Sequence, residues 1–135
     1  MTTKSMSYDH ASYIARQSAG LGEAGGAATT QYAKFAAFTA LQAFSAQMTV
    51  TTPGTAAGHG FQVVKISGTT TTALGTQTIG TATAGSTFNL LLTNVAGGVS
   101  MLQGDILAAI SLADATGKAA IAYEYALQQL ANVTV

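Results

Sequence analysis

Ala119-Ala120-Ile121-Ala122-Tyr123-Glu124-Tyr125-Ala126-Leu127 is the stretch on which the fold turns. Ile121, Tyr123 and Tyr125 fall on one side of an extended chain, and Ala120, Ala122, Glu124 and Ala126 on the other. A period of two marks a strand with one buried face, because successive Cβ atoms of an extended backbone point to opposite sides. The bulky trio belongs either in a core or on a docking surface. Tyr123 is expected inside, and Tyr125, nearer the strand end, is open between the two.

The same punctuation repeats upstream. Asp114-Ala115-Thr116-Gly117 reads as a turn, preceded by the strand Ile106 to Leu112 and the turn Gln103-Gly104-Asp105. Val99 to Leu102, Thr87 to Thr93, Thr76 to Thr83, and Phe61 to Ile66 closed by Gly68, are further β-prone segments bounded by glycine or asparagine. Met48 to Thr52 ends in Pro53-Gly54. Gln31 to Val50 has two readings. Phe35, Phe38, Leu41 and Phe44 recur every three residues among alanines, which suits a helix. That spacing drifts about 60° per step around a helix, so the four smear over half its surface. Two strands broken near Leu41 to Ala43 fit better, with Phe35, Ala37 and Thr39 on one face of the first. Phe44, Ala46, Met48 and Val50 then share a face of the second. Six to eight short strands at this spacing predict an all-β sandwich or barrel over residues 31–135.

Residues 1–30 differ. Ser5 to Ser18 mixes polar and aromatic residues and runs into a glycine cluster at 20–26, where ordering the backbone costs the most entropy. This predicts a flexible N-terminal arm with a hinge, Tyr8, Tyr13 and Arg16 being its candidate contacts with a partner. The start carries Lys4, Asp9, His10 and Arg16 and no apolar core of a secretory signal.

Composition points to association. Of 135 residues 48% are apolar and only 7% charged, with five acids balancing five bases; an ordinary domain carries about a quarter charged. Near-zero net charge favours association over free solubility. No charged residue occurs from Ile66 to Gly104, where edge strands would normally hold a lysine to block pairing. Twenty-one threonines suit pleated strands. The absence of cysteine excludes disulfides and thiolate metal sites. No basic run offers a phosphate-binding footprint, and the longest nearly apolar stretch, Ile106 to Ala113, is too short for a membrane helix, so neither nucleic acid nor a membrane is an expected partner.

No catalytic constellation, cofactor or metal is expected. Gly20-Leu21-Gly22-Glu23-Ala24-Gly25 matches a dinucleotide fingerprint but lacks the preceding buried strand and the later acid. Asp9-His10 with Ser5 and Ser7 holds the residue types of a hydrolytic triad in a segment without fixed geometry. His59, between Gly58 and Gly60, reads as a solvated loop residue. Asp105 reads as a turn acid and Glu124 as one member of a surface or buried ion pair.

A series of local patterns carries a resemblance. Lys34-Phe35-Ala36-Ala37-Phe38 leads to Thr51-Thr52-Pro53-Gly54-Thr55-Ala56-Ala57-Gly58. Gly85-Ser86-Thr87, Gln103-Gly104-Asp105-Ile106-Leu107, Asp114-Ala115-Thr116-Gly117 and Ala122-Tyr123-Glu124-Tyr125 follow. Over roughly residues 30–135 the series resembles the head-decoration or cement proteins of tailed bacteriophages. The resemblance implies a jelly-roll-like β-sandwich, without enzymatic activity, that sits on the outer virion head and bridges major capsid subunits. It implies an oligomer, a trimer before a dimer, with the arm reaching to neighbours. A tail or fibre subunit shares this β-rich, charge-poor character. A carbohydrate-binding sandwich stands last, because the chain has no tryptophan and only Tyr32, Tyr123 and Tyr125 for stacking.

Overall fold

A computed structural model describes residues 17–26, 29–92 and 98–127. These form nine strands and no helix: β1 Gln17–Gly25, β2 Gln31–Ala36, β3 Leu41–Thr52, β4 Gly60–Ser67, β5 Thr70–Thr78, β6 Thr87–Leu91, β7 Val99–Met101, β8 Ile106–Leu112 and β9 Lys118–Leu127. The pairing is nested. Hairpin β4–β5 is innermost; β3 pairs with β6 and β7, β2 with β8, and β1 with β9, all antiparallel. The pairs β3–β9 and β4–β8 then join these ribbons edge to edge. The result is a β-sandwich of two sheets, β1-β9-β3-β6 (with β7 also on β3) and β2-β8-β4-β5.

Alternation places the core. Met48, Val50, Ile121 and Tyr123 of the first sheet and Phe61, Val63, Leu107 and Ala109 of the second form one buried cluster. Tyr123 is fully buried and Tyr125 nearly so, which answers the question left open for Tyr125. Phe35 reaches across from β2, its ring centre 6.4 Å from Tyr123 and 5.1 Å from Tyr125. Aromatic side chains fill such an interlayer space with large apolar area and favourable tilted contacts. The two-strand reading of 31–50 holds, but the break lies at 37–40 and not near Leu41 to Ala43, which open β3, so Ala37 and Thr39 fall in the connection and not on the first strand. Register slips between Ala43 and Ser45, so Phe44 is the bulged residue and stands outside the main core, while Ala46, Met48 and Val50 point in as expected.

Two further expectations are corrected. The glycine cluster is not a hinge: Gln17–Gly25 pairs with β9 from Gln17↔Tyr125 to Gly25↔Lys118, with a bulge between Gly20 and Glu23. Here the backbone ladder outweighs glycine's entropy cost, and the small side chains let the strand lie close. A Cβ on Gly25 would run into the Gly117 carbonyl. The ladder is reinforced by Tyr125 Oη donating to Gln17 Oε1 at 2.9 Å and by a Lys118–Glu23 ion pair at 3.7 Å. Second, the strand placed at 76–83 lies earlier, at Thr70–Thr78, because Gly68 and Thr69 form a tight hairpin turn, with Gly68 at a φ of 60°. Gly75 sits inside the strand against Leu90, beside a bulge at Leu74.

Candidate assembly surface

The two outer faces of the sandwich differ. On the β1-β9-β3-β6 sheet, partners along the ladder bring Ser18, Glu124 and Ser45, then Gln47 and Asn89, to one surface. Ser45 Oγ donates to Glu124 Oε1 at 3.4 Å. These side chains, with Gln17, line a shallow groove of about 560 Å³ that offers hydrogen bonds and a single carboxylate. This is the polar outer face usual for an antiparallel sheet.

The β2-β8-β4-β5 sheet breaks that pattern. The pairs Val64↔Ala108, Ile66↔Ile106, Gln62↔Ile110 and Gly60↔Leu112 share one face, and it is the face opposite to core residues Phe61, Val63, Leu107 and Ala109. Strand β8 is therefore apolar on both sides, like a strand covered by two layers. Val64 is 1% exposed and Ala108 0%, yet neither belongs to the core between the sheets. Around them Ile66, Ile106, Ile110 and Leu112 are half-buried. Only two charged side chains occur on this sheet's strands, Lys34 and Lys65. Lys65 is not on this face: its Nζ donates to the Ser100 carbonyl of the other sheet at 3.2 Å. The face is thus apolar but largely covered, its centre closed and its margin only partly open to solvent.

Exposed apolar side chains gather at one end of the sandwich. Ala36 pairs with Ile106, Ala37 N donates to the Asp105 carbonyl at 2.8 Å, and Gly104 N to the Ala37 carbonyl at 2.9 Å. From these tied loops project Phe38, 56% exposed, and Leu102, 65% exposed; Leu127 lies at the same end through its pairing with Leu41. Asp105 holds its turn by accepting from Leu102 N at 3.0 Å. That bond first, then Ser67 and the charge of Lys65, hold its carboxyl below the usual range against the opposing effect of burial.

The opposite end is a closed polar staple. Asp114 Oδ1 accepts from Thr116 N, and Oδ2 from Thr55 N, Thr55 Oγ1 and Ala56 N, tying the β3–β4 loop to the β8–β9 turn. His59 is corrected from a solvated loop residue to a buried one, 1% exposed. Its ring lies edge-on to Phe61 at 5.4 Å, with Nδ1 3.3 Å from the Leu112 carbonyl oxygen. Room for the ring comes from Gly54 and Gly117, where an added Cβ would strike it. Its backbone carbonyl accepts from both Ile79 and Gly80 at 2.8 Å, so this residue organises the end of the fold.

A pH dependence follows from Asp114. The backbone N–H of Thr116, then those of Ala56 and Thr55, hold its carboxyl well below the usual range, and burial opposes them only in part. A carboxylate whose pKa is depressed by folding contributes stability above its unfolded pKa, near 3.9, and loses it as pH falls toward the folded value. The melting temperature is therefore expected to drop progressively below about pH 4. Asp114→Asn should lower it at neutral pH and flatten that acid slope. An unchanged slope in Asp114→Asn would remove Asp114 as the source.

Among the described residues, the titratable side chains singled out in the sequence are not gathered, and Asp9 and His10 lie outside the described residues. Asp105 and His59 lie at opposite ends, and Glu124 faces out from the other sheet. Tyr8, Tyr13 and Arg16 lie outside the described residues. The apolar outer face was not foreseen, although Ile106-Leu107-Ala108-Ala109-Ile110, apolar at both odd and even positions, carried its signal. No family model matches this chain, and no curated protein matches it significantly.

Proposed function

We propose that this protein is a non-enzymatic structural subunit of a tailed-phage virion, bound as an oligomer to the outer surface of the head, where it bridges major capsid subunits. The observation that carries the reading is the apolar outer face built on Val64, Ile66, Ile106, Ala108 and Ile110, with the exposed Lys34 on its β2 margin. A sandwich with a polar face on one sheet and an apolar face on the other suits a part that lies on a larger surface. The nested strand pairing supports a jelly-roll reading, an architecture found among viral capsid domains. The resemblance stated above supplies the phage head.

The mechanism is multivalent. Each copy adds a modest contact, and an oligomer that engages several capsid subunits gains avidity through effective concentration. Because it binds assembled shell and not loose subunits, it stabilises the shell by mass action. Heads lacking the protein, mixed with the purified chain and imaged by electron microscopy, should gain ordered density on their outer surface and withstand a higher temperature. Density confined to the tail would move the protein to the tail; heads left bare and unstabilised would overturn the head assignment.

A further inference from the structure

We propose that the free edge of β5 pairs antiparallel with the β5 edge of a second copy, joining two apolar faces into one. This rests on the reading that the chain assembles with itself, and it names the contact. An edge strand presents unpaired N–H and C=O groups that another strand will satisfy unless the sequence prevents it. Of the four edges among the described residues, three carry such obstacles. Strand β1 has a bulge between Gly20 and Glu23, with Glu23 held in an ion pair to Lys118. Strand β2 has a bulge between Tyr32 and Phe35, a positive φ at Ala33, and Lys34. The other edge of the first sheet is split between β6, five residues, and β7, three.

Strand β5, Thr70-Thr71-Thr72-Ala73-Leu74-Gly75-Thr76-Gln77-Thr78, has nine residues and no charge or proline. Its bulge at Leu74 leaves a regular run, Thr70 to Ala73, with all four residues exposed. The charge pattern selects the occupant. Self-pairing at β1 or β2 would carry Glu23 or Lys34 into the seam, whereas β5 brings no charge into it. Cross-strand threonine pairs are favourable neighbours in an antiparallel ladder.

Geometry then adds a consequence. Two identical strands pair antiparallel across a two-fold axis perpendicular to their sheet, so the same face of each copy stays on the same side. Thr71 and Ala73 lie on the face that carries Ile66 and Val64, since they pair with those residues. The joined sheet would have eight strands and one continuous apolar floor. This contact is two-fold, in contrast to the trimer implied by the resemblance.

The test uses the full chain in sedimentation equilibrium. Wild type should dimerise. Thr71→Lys with Ala73→Lys, and separately Thr71→Glu with Ala73→Glu, should each weaken the dimer by at least about a hundredfold, since like charges then meet at the seam. An equimolar mixture of the two variants should restore it. Both positions are exposed, so melting temperatures should stay close to wild type. Should a variant unfold, amide hydrogen exchange of the wild type decides instead, with protection of residues 70–73 rising with protein concentration. An oligomer insensitive to both charge variants, or exchange at 70–73 independent of concentration, would overturn the β5 contact alone. A wild-type chain monomeric at its highest soluble concentration would overturn the self-assembly reading with it.

Discussion

Tyr123→Ala is expected to cost about 3–5 kcal/mol of folding stability, the range for deleting a buried large aromatic. Tyr123 is 0% exposed, at the centre of β9, and packs against Phe35 from the facing sheet. Against the ~5–15 kcal/mol total of an ordinary domain, that loss leaves a partly unfolded chain near body temperature. Tyr123→Phe is expected to do the reverse. The phenol oxygen is buried and has no hydrogen-bond partner among the described residues, and burial pushes its pKa up because a charged form would be unsolvated there. An unsatisfied buried hydroxyl costs about 1–3 kcal/mol in desolvation, so removing it while keeping the ring should leave stability unchanged or raise it slightly. Urea unfolding of both variants checks the pair. A cost below about 1 kcal/mol for Tyr123→Ala would mean the ring is not a core element.

Ile110→Lys and Ile106→Lys should act on assembly rather than folding. Both side chains are half-buried on the outer apolar face, where a lysine stem can lie along the sheet with its charge in water in the free protein. Docked against a partner, that charge would be desolvated without a counter-ion, at about 2–5 kcal/mol. If the protein docks on heads as proposed, that binding is expected to weaken roughly 30- to 5000-fold, with the melting temperature nearly unchanged. A co-sedimentation titration with heads, read beside a thermal melt, separates the two effects. Full-strength binding by both variants would mean the face is not the docking surface.

Strand identity was largely legible because it depends on local chemistry. The alternation around Tyr123 placed that ring inside, and the turn at 114–117 and the strand at 106–112 stand where their residues indicated. Asp105 was legible as a turn acid for the same reason: its carboxylate bonds a backbone N–H three residues away. Where the partner is distant, local reading failed. The glycine cluster had every local mark of a hinge, and only the offer of a ladder from β9, about a hundred residues later, made it a strand.

His59 shows the same limit at a single side chain. Two flanking glycines suggest a loop, and the slot that buries the ring is made by Gly54 and Gly117, on two separate turns that Asp114 ties together. The apolar outer face lies between these cases. The sequence by itself determined that Ile106 to Ile110 has no polar side and that Ile66 to Gly104 carries no charge. Only the tertiary structure decided that Val64 and Ile66 lie beside Ala108 and Ile106 to form one surface, because register between strands some forty residues apart is set by long-range pairing. Period-two patterning states what each strand can bury; which strands lie side by side, and hence which apolar sides add up to a surface, depends on contacts that no local window contains.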